Sequence, residues 1–274
     1  MQDLQCEDFL ATKSPLGTKR SALTIGVFDG VHRGHQTLIK SVVSYSADTV
    51  PIVVTFQHNS HKRKAAGGHP YLGDISSPRQ KLNLFQKLGV SLIIVIGFSE
   101  SFMSMSGKDF LHILQDHAAM SFMTVGDDFH CGRGRDTNAL MLKELNAQVG
   151  IATTIVQPIT EGLHRISSSA IRAAITQGDL SAASAMLGYP FTIDLKGAEV
   201  VSGKNGAAYD IAGQARILPP SGRYEALVMG KDGAAFTKTA ACIRIEGGKL
   251  AIEEHTLDTK TCPQYVAPGK RIDS

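Results

Sequence analysis

Two histidines separated by an arginine and a glycine are the first residues in this chain with the makings of a chemical site. His32, Arg33, Gly34 and His35 follow an apolar run, Leu23, Ile25 and Val27, that reads as the end of a buried strand. Gly26 and Gly30 let the backbone turn tightly between them. Leu38, Ile39, Val42 and Val43 then recur at helical spacing. A glycine-rich turn from strand to helix points backbone N–H groups outward and suits anions. Histidines three residues apart fall on one side of a first helical turn. Each can donate a hydrogen bond to a phosphate oxygen, and Gly34 leaves room for a nucleotide. The same four residues also suit a plain strand–turn–helix with two surface histidines, and alone they do not separate these readings.

A second cluster is Arg165-Ile166-Ser167-Ser168-Ser169-Ala170-Ile171-Arg172. Serines ahead of a helix offer capping hydroxyls and, with the free N–H groups, an anion site. Arg172, read as lying on the first turn, adds a bidentate cation. An ordinary helix cap is the alternative. Between the two clusters, the apolar run 122–125 leads into a polar turn carrying Asp128, Arg133 and Arg135. Asp128 is either a cap or a ligand. The arginines are either phosphate partners or loop charges in water.

These residues need elements to hold them. Apolar, β-branched runs at 50–56, 91–96, 122–125 and 151–156 join the strand ending near Val27. Helices are predicted at about 34–46, from Ser77-Pro78 to Gly89, at 107–117 after a Ser106 cap, and at 137–149, 168–176 and 179–187. Five buried strands alternating with helices predict a parallel sheet covered on both faces. Ligands bind such sheets at the carboxyl ends of the strands, where the strand order reverses. The stretches 26–35 and 126–135 both begin at such ends. Residues 1–22 read as polar, with a loop at Pro15 and Gly17. From Tyr189-Pro190 onward, short alternating runs at 198–201, 215–218, 224–229, 240–245 and 250–254, separated by glycines, predict a small antiparallel barrel. The fold class is therefore α/β followed by a β-barrel, with domains at 1–186 and 187–274.

The 274 residues, 43% hydrophobic and 19% charged with a net charge of +3, suit a globular chain with no electrostatic case for nucleic acid. The basic run 61–64 reads as a solvated loop. Cys6, Cys131, Cys242 and Cys262 show no metal-ligand spacing, so unpaired thiols and no protein-held metal are expected. The N-terminus lacks a signal-peptide pattern, and no apolar run reaches about 18 residues. A cytoplasmic protein, off the membrane and monomeric or weakly homo-oligomeric, is the expectation.

The longer pattern G-x-F-D-G-x-H-x-G-H over 26–35 resembles the nucleotidyltransferase superfamily and, within it, the adenylyltransferase module of bacterial FAD synthetases. Val125, Gly126, Asp128, Phe129, Gly132, Gly134 and Arg135 resemble a second motif of that family. There Cys131 replaces a usual Phe and Thr137 a usual Gly. The 166–172 cluster resembles I-S-S-T-x-I-R, with Ser169 for Thr. Phe98, Ser99 and Phe102 resemble a further family loop. The resemblance implies a Rossmann-like nucleotidyltransferase domain that takes ATP, with Mg²⁺, and FMN, and releases FAD and pyrophosphate. It implies catalytic roles for His32, His35 and Arg172. It implies ATP contacts from Gly26, Phe28, Asp29, Gly30, Gly34, Ser168, Ser169 and Asp128, and flavin contacts from Phe56, Phe129 and Arg135. Residues 57–60 depart from the family's acidic residue and Pro-His-Pro. Residues 187–274 resemble a riboflavin kinase barrel. Its Gly-x-Pro-Thr-Ala-Asn signature is missing after 203–206, although Glu253-x-His255 resembles the stretch with the kinase base. The expectation is an adenylyltransferase whose barrel is inactive as a kinase. The alternatives are another small-substrate nucleotidyltransferase, with a different acceptor or CTP, and a non-catalytic flavin- or nucleotide-binding protein.

Overall fold

The computed structural model describes residues 2–5, 16, 19–57, 72–162, 164–203, 206–232, 235–253 and 262–272. Cys6, Pro15, Gly17, residues 58–60, the basic run 61–64 and His255 lie outside them. The chain divides into two compact units, Met1–His58 with Leu82–His164, and Asn59–Lys81 with Arg165–Ser274.

The first unit is built on one wholly parallel sheet of β1 (Gln2–Gln5), β2 (Arg20–Ile25), β3 (Thr49–Phe56), β4 (Leu92–Ile96), β5 (Met120–Gly126) and β6 (Ala152–Val156), in the order β1-β4-β3-β2-β5-β6. Its helices are α1 (Arg33–Val43), α2 (Pro78–Lys87, of which Leu82 onward belongs to this unit), α3 (Glu100–Ser104), α4 (Gly107–Ala118) and α5 (Ala139–Gln148). Side chains alternate across a strand, and the apolar sequence of the central strands fills both sides. Leu23, Ile25, Ile52, Val54 and Ile94 pack with Leu111, Leu114 and Leu142 on one face. Val53 and Ile93 pack with Leu38, Ile39 and Phe85 on the other. Both faces are thus covered by helices, as the alternation of strands and helices required.

The sheet has six strands rather than five. The extra one, β1, pairs in parallel with β4 at the edge, Asp3 opposite Ile93. Gln2, Asp3, Leu4 and Gln5 carry no apolar alternation, so nothing local marked a strand there; pairing with β4 makes it. The step β2 to β3 to β4 runs one way across the sheet, and β5 to β6 runs the other. The reversal therefore falls between β2 and β5.

Helix ends follow local chemistry. Ser106 Oγ accepts from the Asp109 nitrogen at 3.1 Å and donates to Asp109 Oδ2 at 2.6 Å, closing the start of α4. In the second unit, Ser77 and Gln80 cap the start of α2 reciprocally. The Gln80 nitrogen donates to Ser77 Oγ at 2.9 Å, and the Ser77 nitrogen donates to Gln80 Oε1 at 2.8 Å.

The second unit also holds α6 (Ser168–Gln177), α7 (Leu180–Leu187), and the strands β7 (Ile193–Asp194), β8 (Glu199–Gly203), β9 (Gly206–Asp210), β10 (Gly222–Asp232), β11 (Ala235–Glu246), β12 (Lys249–Ile252) and β13 (Cys262–Arg271). These strands form one antiparallel sheet in the order β7-β13-β10-β11-β12-β9-β8, curled into a half-barrel. Tyr224, Val228, Ile243, Leu250, Ile252 and Val266 are buried in it. The run 215–218 is not a strand of this sheet. It follows a 3-10 turn and makes one bridge, Arg216 to Asp74.

Asp194 is the polar centre of this unit. Its carboxylate is buried and accepts from Arg79 Nε at 3.2 Å, from Arg79 Nη2, from Ser77 Oγ at 2.5 Å and from the Lys196 nitrogen at 2.9 Å. Arg79 also lies over the Tyr265 ring, 4.3 Å from its centroid. Burial alone would push this carboxyl upward, but the hydrogen bonds from Arg79, Ser77 and Lys196 outweigh it and hold the group below its ordinary range. Since the folded-state value lies below the unfolded value near 3.8, the contribution to stability is complete above that value and is lost as pH falls through the folded-state value. Asp194→Asn should therefore destabilise the protein by about 3 kcal/mol at pH 7, the usual scale for breaking a buried pair. The gap to the native protein should narrow below pH 4, as read from denaturant unfolding at both pH values.

Candidate functional site

The turn leaving β2 is built against conformational preference. Phe28 and Val31 both adopt positive φ, 53° and 37°, on either side of Gly30 at 77°. A β-branched residue resists this region strongly. The surroundings hold it: Phe28 and Val31 are buried, the Val31 nitrogen donates to the Phe28 carbonyl at 3.1 Å, and Gln36 Nε2 donates to the Val31 carbonyl at 2.9 Å. Phe28 meets His35 edge-on, with ring centroids 5.2 Å apart, and Phe85 likewise at 5.6 Å. Phe28 thus serves as the surface on which His35 rests, and Asp29 is buried in the same turn.

His32 is the N-cap of α1. Its Nδ1 accepts a long hydrogen bond, 3.4 Å, from the His35 nitrogen. That places the ring proton on Nε2, which then serves as a donor. The His32 and His35 rings stack with centroids 3.6 Å apart and planes 19° apart. Gly34 makes this fold-back possible, because a Cβ there would sit 3.2 Å from the His32 ring. The two imidazoles thus form one stacked donor pair on the positive end of α1, beside the reversal between β2 and β5. Sequence spacing put both on one side of a turn; that one imidazole caps the helix was not readable from it.

At the same carboxyl ends lies a cavity of about 310 Å³ walled by aromatic side chains. Phe56 closes β3, and Phe129 follows β5. Phe98, Phe102 and Phe110 join them, with Cys131 completing a wall. Phe56 and Phe98 stack at 5.1 Å, and Phe102 meets Phe110 edge-on at 5.4 Å. The structure therefore brings Phe56 and Phe129 together. Arg135 lies beside His130, Nη2 to Nδ1 3.0 Å, and is not among the lining residues. Phe98, Phe102 and Phe110 carry the cavity as much as the expected pair does. In the sequence, Phe98 and Phe102 are marked only by their resemblance to a family loop, and Phe110 carries no mark beyond its place in the predicted helix 107–117.

The loop after β5 has its own constraint. The His130–Cys131 and Thr137–Asn138 segments pair antiparallel. Between them Gly132 takes φ 80°, where a Cβ would lie 2.1 Å from Asp136 Oδ1 and 2.2 Å from the Gly107 nitrogen. Asp136 Oδ1 accepts from that nitrogen at 3.0 Å and from Thr137 Oγ1 at 2.9 Å. The threonine that stands where the family has glycine is thus held by its own hydroxyl. Burial pushes the Cys131 thiol up to about 11, with the Asp136 charge adding to the shift, so this thiol stays neutral beside the aromatic rings, while Arg133 lines the cavity too. Asp128 is exposed on the turn just beyond Gly126.

The serine–arginine cluster belongs to the second unit. The capping hydroxyl is that of Ser167, which accepts from the Ala170 nitrogen at 3.2 Å; Ser168 and Ser169 are the first two residues of α6. Arg172 is the fifth, just past the first turn on which the sequence reading placed it, and its Nε donates to the Gly73 carbonyl at 2.9 Å. In the half-barrel, Glu253 is gripped by Arg223, with Nε–Oε1 2.9 Å and Nη2–Oε2 2.5 Å. Those hydrogen bonds hold its carboxyl below the ordinary range.

The FAD synthetase family model matches residues 15–170. A bifunctional riboflavin kinase/FMN adenylyltransferase of Escherichia coli is 29% identical over 86% of this chain and 78% of its own length. The Bacillus subtilis protein of that description is 31% identical over 75% and 66%. A FAD synthetase of Listeria monocytogenes is 30% identical over 66% of this chain and 74% of its own length. Among solved structures, one described as a macrolide-efflux protein from Streptococcus pneumoniae superposes with a TM-score of 0.81 over 100% of this chain and 91% of that one. At 21% identity, that is a likeness of fold alone. With more than half its length inside that family model, this chain belongs to the FAD synthetase family.

Proposed function

We propose that the chain transfers the adenylyl group of ATP to FMN, giving FAD and pyrophosphate. The observation that carries this reading is the stacked His32–His35 pair on the start of α1, set at the same strand ends as an aromatic cavity suited to a flat heterocycle. An oxygen of the FMN phosphate attacks the α-phosphorus, a new P–O bond forms, and the bond to the bridging oxygen of pyrophosphate breaks. The attacking phosphate is already an anion at neutral pH, so no side-chain base is needed. Catalysis then consists of alignment and stabilisation of developing charge. His32 Nε2–H, the His35 ring and the positive end of α1 supply the donors and the favourable field. Phe56, Phe98 and Phe129 offer faces for the flavin, and the neutral Cys131 thiol adds no charge beside them.

Magnesium carried on nucleotide phosphates needs one or two protein carboxylates, and exposed Asp128 beside Gly126 fits that need. Bound there, the ion would neutralise phosphate charge as pyrophosphate leaves. Ser168, Ser169 and Arg172 keep the phosphate role that the resemblance assigns them.

The half-barrel is proposed to lack kinase activity. The kinase signature is missing from its sequence, and Glu253, in the place of the base, is committed to Arg223 and held in its ionised form by it, which makes it a weak proton acceptor.

Purified protein with FMN and MgATP should form FAD, identified chromatographically. His35→Ala should lower that rate by about 10²–10³, the usual loss for one such donor, with the melting temperature unchanged. Unaltered turnover in that variant overturns the role given to His35. Riboflavin with MgATP should yield no FMN; comparable rates of FMN and FAD formation would remove the monofunctional reading.

A further inference from the structure

Arg33 sits inside the histidine pair, as the first residue of α1. Its guanidinium is engaged by the Glu161 carboxylate, and both side chains remain exposed, 40% and 51%. Glu161 lies five residues beyond the end of β6. In the sheet, β2 and β6 are separated by β5 alone. The ion pair therefore joins the segments that leave the two neighbours of β5, at the carboxyl end of the sheet.

The chemistry there is lopsided. The start of α1, the two imidazoles and Arg33 are all donors or cations. The group that Arg33 holds among them is a carboxylate, whose two oxygens match the guanidinium fork as phosphate oxygens do. An exposed pair of this kind is weak and exchanges readily. A triphosphate entering beside α1 brings several negative charges next to Glu161. It repels that carboxylate and competes for the guanidinium with a denser set of acceptors.

We infer that Arg33 is a triphosphate-binding residue and that Glu161 is its placeholder, holding the guanidinium until nucleotide displaces it. This rests on the adenylyl-transfer reading of the site. Arg33 changes partner and Glu161 turns to water. No covalent step is involved.

The test is calorimetric titration of MgATP into the full-length native protein, Arg33→Met, Glu161→Gln and the double variant. Melting temperatures confirm that each variant is folded. Arg33→Met should raise the Kd about tenfold, the scale of one lost charge-assisted contact. Glu161→Gln should lower it about threefold, since the competitor is gone. The double variant should bind like Arg33→Met, because the gain from Glu161→Gln exists only while Arg33 is present. Arg33→Lys should recover part of the loss. A pair that only stabilises the fold predicts lower melting temperatures with unchanged Kd, and that result overturns the proposal. So does weaker binding by Glu161→Gln, or additive effects in the double variant. FAD formation by the native protein is scored separately. If the native protein makes FAD while Arg33→Met binds MgATP normally, only the exchange falls. If it makes none, the adenylyl-transfer reading falls, and the Kd pattern still decides whether the exchange occurs.

Discussion

The site depends on a turn that L-amino acids resist. Three residues of positive φ within four positions cost of the order of 1–3 kcal/mol for each non-glycine. Such a turn persists only where its surroundings over-determine it. Phe28 and Val31 are locked into the core of the first unit, and the Val31 carbonyl is tied by Gln36. What the strain produces is direction: the chain leaves β2, reverses, and starts α1 with an imidazole as its cap. The second imidazole then lies flat on the first. A relaxed turn would leave two independent surface histidines.

The polar and apolar halves of the site have different supports. The histidine pair stands on strained backbone and a helix end. The aromatic cavity stands on strand termini and on the loop after β5, where a glycine is needed because an aspartate and an amide nitrogen occupy the space of its missing Cβ. The two family departures in that loop both have local accommodations. Thr137 satisfies its hydroxyl on Asp136, and Cys131 replaces a ring with a smaller uncharged group.

The second unit is organised on a different principle. Its centre is a buried carboxylate gathering an arginine and a serine from a segment more than a hundred residues away, together with a backbone amide two residues on. Breaking such a group is costly because the remaining charge stays buried. Arg172 belongs to the same style of construction, spending one N–H on a carbonyl of the 72–77 segment. The guanidinium is thereby oriented, which is a condition for any anion it meets.

What the sequence determined by itself was periodicity and local chemistry. Buried parallel strands read as continuous apolar runs, caps read from serines, and the histidine motif sat where a strand gives way to a helix, because these depend on neighbours within a few residues. The edge strand Gln2–Gln5 was invisible because only pairing with β4 creates it. The half-barrel was legible as alternating runs, but the segment around Arg216 was not, because one bridge to Asp74 replaces a strand there. The stacking of His32 on His35, the gathering of Phe98, Phe102 and Phe110 with Phe56 and Phe129, and the Arg33–Glu161 pair were settled by tertiary structure. Each depends on the order of strands in the sheet, which sets distant residues side by side and leaves no trace in local spacing.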